Sequence, residues 1–258
     1  MTAPVSVVVV ARNEERHIGR CLASAAWARE RIVVDAWSTD RTAEIAASMG
    51  ARVIRRVWSG YAAQKQFAVL QATEPWVLVL DADEQITPEL AGEVQALLAG
   101  EVQESAFSIR IPLEFMGRRL GHYGRARRDP GHVRLFRADR ASFDGRIVHE
   151  QLVVDGSTGM LQGEIRHDSY PDPALRSYWR KIHHYAELEA KDRAVHGRIG
   201  NRWARSAGRL GWMLAVRRGV LHGPAAWLWI AGQAYQEWLV TGRAARLRQS
   251  AKERRGLA

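Results

Sequence analysis

The sequence predicts an α/β fold with a doubly wound, mainly parallel sheet, followed by a basic, amphipathic helical appendage. Short apolar runs rich in valine alternate with segments of helical periodicity, the pattern of parallel strands joined by crossover helices. Charge is unevenly spread, since residues 1–175 hold 21 Lys+Arg against 23 Asp+Glu and residues 176–258 hold 17 against 5. We therefore expect a near-neutral domain at 1–174 and a helical, basic, Trp-rich region at 175–258.

The first strands and helices are predicted from short apolar runs and from the residues that separate them. Strands are expected at residues 4–10, 32–35, 51–57 and 76–80, with helices at 18–25, 42–49 and 61–72 between them. The strand-like runs lack helical spacing, which is typical of strands buried on both faces. A helix is expected next at 86–104, with Pro88 near its first turn, and then an alternating strand at 107–115.

An acidic pair, Asp81 and Asp83, stands directly after the fourth strand-like run. In an extended chain this spacing points both side chains to the same side. Two carboxylates so placed suit a hard divalent cation, whose other positions are filled by water and substrate phosphate. An isolated Asp-x-Asp is equally typical of a strand that ends in a solvated acidic turn.

Two further polar clusters follow other strands. Asn13 and Glu14 come after the first strand, and Asp35 ends the second. In doubly wound sheets, ligands bind beyond the carboxyl ends of the strands, so these residues and the acidic pair are expected on one rim. Taken alone, Asp35 fits a turn or helix-capping residue better than a ligand-binding one.

The ordered set of motifs resembles the nucleotide-sugar domain of family 2 glycosyltransferases. Within that family it is most similar to bacterial lipopolysaccharide core glycosyltransferases related to the core β-glucosyltransferase. The motifs that carry the resemblance are Ala-Arg-Asn-Glu-Glu at 11–15, Val-Val-Asp-x-x-Ser-Thr-Asp-x-Thr at 33–42, Gly-Tyr-x-x-Gln-Lys-x-Phe-Ala at 60–68, Val-Leu-Asp-Ala-Asp-Glu at 79–84, Val-Arg-Leu-Phe-Arg at 133–137, Val-His-Glu at 148–150 and Ile-Arg-His at 165–167. The resemblance covers roughly residues 4–190.

The resemblance implies a GT-A-like fold and inverting, metal-dependent transfer of a hexose from a nucleotide sugar, most simply a UDP-hexose, with Mg²⁺ or Mn²⁺ as cofactor. It places Asn13, with Glu14 or Glu15, beside the nucleoside. It also implies that Asp35 accepts a hydrogen bond from the base and that Lys65 faces the pyrophosphate. Asp81 and Asp83 match the metal site of the family, with Asp81 also on the donor.

The chemistry of glycosyl transfer calls for the same parts. A departing pyrophosphate needs its charge neutralised, which a metal ion and a lysine supply, and the acceptor hydroxyl needs a general base. In an inverting displacement that base lies opposite the leaving group and thus on another segment. Glu150 is the candidate, since it follows His149 and matches the His-Glu pair of the family; the alternative is a surface glutamate at a strand end.

Several basic residues are candidate contacts for phosphate or for an anionic acceptor. They are Arg125, Arg128, Arg134, His149 and His167. The loop at 117–130 carries five arginines, and arginine suits bidentate contact with phosphate, although an ordinary solvated basic loop fits the same pattern. His167 is a candidate metal ligand or pyrophosphate contact, or else a structural histidine beside Asp168.

The C-terminal region is expected to lie on a membrane surface. Arg202, Arg205 and Arg209 fall on one helical face, and tryptophans stand nearby, as in interfacial helices on anionic lipid. Packing of an ordinary helical hairpin is the alternative. The apolar stretch 225–240 is interrupted by polar residues and falls short of a membrane span.

These expectations define a cytoplasmic enzyme, peripheral on the inner face of the cytoplasmic membrane. Its acceptor would be a lipopolysaccharide-core or other glycolipid glycan. One cysteine, Cys21, excludes an internal disulfide framework and fits a reducing compartment, and no secretory signal follows Met1.

Two departures from the family and two alternative functions remain. The family usually has a small pair such as Ser-Gly where this chain has Ala36-Trp37, and frequently Tyr-Pro-Asp where it has Arg128-Asp129-Pro130.

A phosphatase with an aspartyl nucleophile also uses Asp-x-Asp, but Gln85 stands where such motifs carry Thr or Val. A nucleic-acid-binding protein would explain the basic tail, yet the acidic rim speaks against it, so no nucleic-acid partner is expected.

Overall fold

A computed structural model describes residues 2–116, 118–120, 131–144, 152–167, 175–216, 221 and 223–256. The chain divides into two compact units. The first consists of Met1–Pro112 with Asp129–Asp168, and the second of Leu113–Arg128 with Ser169–Ala258. The boundary expected between residues 174 and 175 stays a prediction.

The first unit is built on an eight-stranded mixed sheet. The strands of the chain are β1 (Ala3–Ala11), β2 (Ala28–Asp35), β3 (Arg52–Arg55), β4 (Trp76–Asp81), β5 (Glu84–Ile86), β6 (Ala106–Arg110), β7 (Glu114–Phe115), β8 (Arg118–Arg119), β9 (His132–Arg137), β10 (Ala141–Phe143), β11 (Leu152–Val154) and β12 (Thr158–His167). The large sheet has the order β3-β2-β1-β4-β9-β6-β12-β5, while β10 pairs with β11 and β7 with β8.

Four of the seven pairings in the large sheet are parallel. Strands β3, β2, β1 and β4 run parallel in that order, and β6 is parallel to β12. Strand β9 runs antiparallel between β4 and β6, and β5 is antiparallel to β12. The predicted α/β class and mainly parallel sheet are confirmed.

Helices cover both faces of this sheet. They are α1 (Ile18–Ser24), α2 (Thr42–Ser48), α3 (Tyr61–Leu70) and α4 (Pro88–Leu98). Side chains alternate along a strand, so Val7 and Val9 of β1 join one apolar core with α1 and α4, whereas Val8 joins the opposite core with α3. Burial on both faces explains why the strand runs are continuously apolar.

The second unit is mainly helical. It contains α5 (Arg176–His196), α6 (Arg202–Gly211), a π-helical turn (Trp212–Val216) and α7 (Gly223–Gly256). Its apolar core includes Tyr178 and Ile182 of α5 and Ile230 and Val240 of α7. Among the helices that the structure describes, none is long and apolar enough to cross a bilayer.

A buried carboxylate on α7 joins three helices of the second unit. The Glu237 side chain is only 5% exposed. Its Oε1 accepts hydrogen bonds from Arg193 of α5 at 2.6 Å and Arg205 of α6 at 2.7 Å, and Arg209 lies 3.5 Å from Oε2. Two of the arginines expected to meet anionic lipid are therefore paired within the unit, because a buried carboxylate requires cationic partners.

The Glu237 cluster should make stability depend on pH. Burial alone would raise the pKa of Glu237, but hydrogen bonds from Arg193 and Arg205 outweigh it and lower the pKa to about 2. Because the folded pKa lies below the ordinary value, the stabilisation is complete above about pH 5 and is lost as pH falls towards 2. We expect Glu237→Gln to lower the free energy of unfolding at pH 7 by about 3 kcal/mol and to flatten this acid limb in urea titrations.

The matched control is Glu187→Gln, which removes an exposed carboxylate paired with Lys191 on α5. Exposed ion pairs contribute little to stability, so this variant should retain the wild-type acid limb. Equal behaviour of the two variants would contradict a structural role for Glu237.

Candidate functional site

Strand register brings the predicted polar residues to one edge of the sheet. Across the parallel strands, Val10 of β1 is opposite Asp81 of β4, Ala11 is opposite Asp35 of β2, and Asp35 is opposite Arg55 of β3. The carboxyl ends of four strands thus form one row. Asn13 follows β1 within this row, between the ends of β2 and β4.

Asp81 lies between two cations. Its Oδ1 is 2.9 Å from Lys65 Nζ, and its Oδ2 is 3.3 Å from Arg134 Nη2. Lys65 projects from α3 and Arg134 from β9, so helix and strand packing fix both groups. Burial alone would raise the pKa of Asp81, but the charges of Lys65 and Arg134 outweigh it and hold the pKa below its usual range.

Glu84 is the fourth member of this charged cluster, with Asp81, Lys65 and Arg134. Its Oε1 accepts a 2.7 Å hydrogen bond from Arg134, and its Oε2 accepts one of 2.9 Å from the Asp81 backbone N–H. The side chain is 1% exposed, and burial raises its pKa to about 7, against the opposing charge of Arg134. Glu84 therefore orients Arg134 and the end of β4.

Asp83 contacts a different group. Strand β4 ends at Asp81, and Ala82 and Asp83 form the turn into β5, so the extended geometry behind the same-side prediction does not apply at Asp83. Antiparallel pairing of β12 with β5 sets His167 opposite Glu84. His167 Nε2 lies 3.2 Å from Asp83 Oδ2; burial alone would lower the pKa of His167, but Asp83 outweighs it and raises the pKa.

Asp83 and His167 form a donor set that fits a divalent cation with open positions. Carboxylate oxygen suits Mg²⁺ and Mn²⁺, and imidazole is a frequent ligand of transition metals. Within the described part of the chain, no group of three or more His, Cys, Asp or Glu side chains could hold a metal. A cation on these two residues would thus need further ligands, which a substrate diphosphate and water can supply.

Asn13 and Glu14 link the loop after β1 to the loop after β2. Asn13 Oδ1 accepts a 2.8 Å hydrogen bond from the Thr39 backbone N–H, and the Asn13 N–H donates to Ser38 Oγ at 2.9 Å. The Glu14 N–H donates to Thr42 Oγ1 at 2.7 Å. Residues 13–14 and 38–42 therefore form a hydrogen-bonded rim at this end of the sheet.

Asp35 shapes the same rim from beneath. Its side chain is fully buried, with Oδ2 accepting a 3.1 Å hydrogen bond from the Ser38 N–H. The Arg55 Nε lies 4.0 Å from the same oxygen. Asp35 thus stabilises the turn after β2, and its contact with a nucleobase stays a prediction.

Four predicted site residues lie outside the described residues, namely Arg125, Arg128, His149 and Glu150. The contribution of Glu84 was missed by sequence reasoning, and Arg134 was assigned only a generic phosphate contact. The sign of this role in the sequence was Glu84 itself, a glutamate that directly follows Asp83 in a buried segment. A buried glutamate requires a cationic or hydrogen-bonding partner, but the sequence does not reveal that the partner is Arg134.

Comparisons with known proteins identify the family of the chain. A model of glycosyl transferase family 2 matches residues 6–146. An uncharacterised glycosyltransferase of Rickettsia typhi is 31% identical over 222 residues, covering 81% of this chain and 75% of that protein. The lipopolysaccharide core biosynthesis glycosyltransferase LpsC of Rhizobium meliloti is 29% identical over 202 residues, covering 76% of this chain and 73% of that protein.

A solved structure shows a more limited similarity. Glucosyl-3-phosphoglycerate synthase of Mycobacterium tuberculosis, crystallised with Mn²⁺, UDP and glucosyl-3-phosphoglycerate, is 27% identical. The similarity covers 42% of this chain and 44% of that chain, with a TM-score of 0.37. The family match spans more than half of the sequence, and the chain belongs to glycosyl transferase family 2, whose members transfer sugars from nucleotide-sugar donors.

Proposed function

We propose that this enzyme is a metal-dependent, inverting hexosyltransferase that uses a UDP-hexose. Its acceptor would be a lipopolysaccharide-core glycan or another lipid-linked glycan. The observation that carries the proposal is the charged cluster at the end of β4, with Lys65 and Arg134 on Asp81 and with the Asp83–His167 pair beside it. Family membership sets aside the phosphatase alternative.

The cluster has the parts needed to hold a leaving diphosphate. Lys65 is 9% exposed and Arg134 is 12% exposed, so the solvent screens their charges less than it screens surface charges. Asp83 and His167 would hold Mg²⁺ or Mn²⁺. That ion would neutralise charge that develops on the diphosphate as the glycosidic bond breaks.

The acceptor side of the site rests on the family resemblance. Glu150 would take the proton of the acceptor hydroxyl, with His149 beside it. Arg125 and Arg128 would contact anionic groups of the acceptor, since guanidinium groups bind phosphate in a bidentate manner. Similarity to LpsC, whose name assigns it to lipopolysaccharide core biosynthesis, supports a glycolipid acceptor.

Donor turnover tests the metal assignment. With Mn²⁺ or Mg²⁺ present, the purified enzyme should release UDP from a UDP-hexose, whereas Asp83→Asn should lower the rate at least about a hundredfold because a neutral amide binds a divalent cation poorly. Asp155→Asn is the matched control, since Asp155 is 79% exposed and pairs with Arg140; its rate should equal that of the wild type.

Glu150→Gln tests the general base independently of the metal site, through UDP binding and transfer to the acceptor. This variant should bind UDP as the wild type does, yet lose transfer to the acceptor by about 10²- to 10⁴-fold. Normal turnover by Asp83→Asn would remove the metal assignment, and normal transfer by Glu150→Gln would remove the base.

We also propose that the second unit binds an anionic bilayer through exposed apolar side chains of α6 and of the turn that follows it. The three cations of this helix are directed to α7. Arg205 and Arg209 approach Glu237, and Arg202 lies over the Trp238 ring, with the guanidinium carbon 4.4 Å from its centroid. The charged side of α6 thus faces protein.

Beside these contacts, α6 also carries partly exposed apolar side chains, and Trp203 meets the Trp238 ring of α7 edge-on with 5.6 Å between the ring centroids. Trp203 is 64% exposed and Leu210 37% exposed, and Trp212 in the following turn is 46% exposed. Exposed apolar surface together with tryptophan is typical of helices that lie in a membrane interface. The excess of 17 Lys+Arg over 5 Asp+Glu in residues 176–258 would attract anionic headgroups. Such contact would keep the enzyme peripheral on the cytoplasmic face of the inner membrane, next to a lipid-linked acceptor.

Sedimentation with phosphatidylglycerol-containing vesicles tests this surface. The double variant Trp203→Ser/Leu210→Ser should bind at least about tenfold more weakly, because two apolar side chains no longer enter the interface. Leu70→Ser, which removes a 70% exposed leucine from α3 in the first unit, is the control and should bind normally.

Ionic strength separates the two contributions. Wild-type binding should weaken with salt but persist, since apolar insertion is not screened. Binding that salt abolishes and that the double variant retains would contradict insertion. Salt-sensitive affinity for DNA without affinity for vesicles would favour the nucleic-acid-binding alternative.

A further inference from the structure

Trp37 is the most unusual residue of the rim. It follows Asp35 at the end of β2, where φ of +55° places it in the left-handed region. A bulky side chain is uncommon in that region because Cβ approaches the backbone. The indole is also 56% exposed. Backbone strain and an exposed large apolar ring are both unfavourable, and strain of this kind persists where function requires it.

The neighbours of Trp37 hold it in this conformation. The Ala36 N–H donates to the Ala11 carbonyl at 2.8 Å, and the Ser38 N–H donates to Asp35 Oδ2 at 3.1 Å. Ser38 is in turn bonded to the Asn13 N–H. Hydrogen bonds on either side of Trp37 therefore fix its backbone, and the ring is presented on a rigid turn.

Arg55 flanks the indole ring. Its guanidinium carbon lies 5.4 Å from the ring centroid, a cation–π contact, and its Nε lies 4.0 Å from Asp35. The row of strand ends therefore displays an aromatic face, a planar cation and a buried carboxylate side by side. Planar groups of this kind are the surfaces on which nucleobases stack.

We infer that the Trp37 indole, with Arg55, is the stacking surface for the nucleobase of the donor. This inference rests on the proposed function and adds a binding residue where the family usually has a small one. Aromatic stacking tolerates different bases, because every base has a π-face. Trp37 therefore contributes affinity for nucleoside diphosphates in general, and the choice of base is left to hydrogen-bonding groups such as Asp35.

Calorimetric titration of the full chain with UDP in the presence of Mn²⁺ tests the inference. Trp37→Gly should weaken UDP binding about tenfold to a hundredfold and GDP binding by a similar factor. Inorganic pyrophosphate lacks a base, so its affinity should be unchanged. Trp37→Phe should recover most of the UDP affinity, because a phenyl ring also stacks.

Two further measurements keep the result interpretable. Glycine adopts positive φ without strain, so Trp37→Gly should melt at or above the wild-type temperature. Trp227→Ala, which removes a 50% exposed tryptophan from the second unit, should bind UDP normally.

The outcomes distinguish this inference from the proposed function. If the wild type binds UDP and Trp37→Gly binds it equally well, the stacking role is overturned while the proposed function stands. Equal loss of UDP and pyrophosphate in Trp37→Gly overturns it as well, since the residue would then act on the phosphate site. A wild type that binds neither ligand overturns the proposed function itself.

Discussion

The site depends on the charge balance around Asp81. Lys65 and Arg134 are nearly buried, and buried cations are costly unless they are paired. Asp81 lies within ion-pair distance of both cations, and Glu84, whose pKa burial raises to about 7, accepts a hydrogen bond from Arg134. These carboxylates offset part of the positive charge of Lys65 and Arg134, so the two cations attract a diphosphate less strongly than unpaired cations would. A divalent ion on Asp83 and His167, as proposed, would supply further positive charge beside this cluster.

Two antiparallel pairings in the sheet bring Arg134 and His167 to the site. Strand β9 runs antiparallel beside β4, which carries Arg134 towards the carboxyl end of β4. Strand β12 returns beside β5 and ends at His167. The parallel half of the sheet was predictable, because runs such as Val5–Val10 are apolar without helical spacing and polar residues follow them. The antiparallel insertion was not, since it depends on pairings between segments more than fifty residues apart, such as Leu78 with Leu135.

The C-terminal unit shows where composition misleads. Seventeen basic against five acidic residues predict a cationic surface, and helical periodicity predicts that Arg205 and Arg209 lie on one face of α6, from which both approach Glu237. Composition does not show which basic side chains are paired with a nearby carboxylate. Glu237 is one acidic residue among many bases, yet it lies where Arg193, Arg205 and Arg209 meet. That single carboxylate therefore neutralises charges of α5 and α6 within the unit.

The rim and the charged cluster differ in what fixes their backbone conformation before a ligand binds. Lys65, Arg134 and His167 come from regular helices and strands, whose backbone is fixed by packing. Trp37 and Asn13 lie in turns with positive φ, which would relax if the turns were free. The hydrogen bonds between residues 13–14 and 38–42 prevent that relaxation. Since ordering a loop on binding costs free energy, a rim ordered by its own contacts would leave more of the proposed stacking and ionic interaction available to hold a donor.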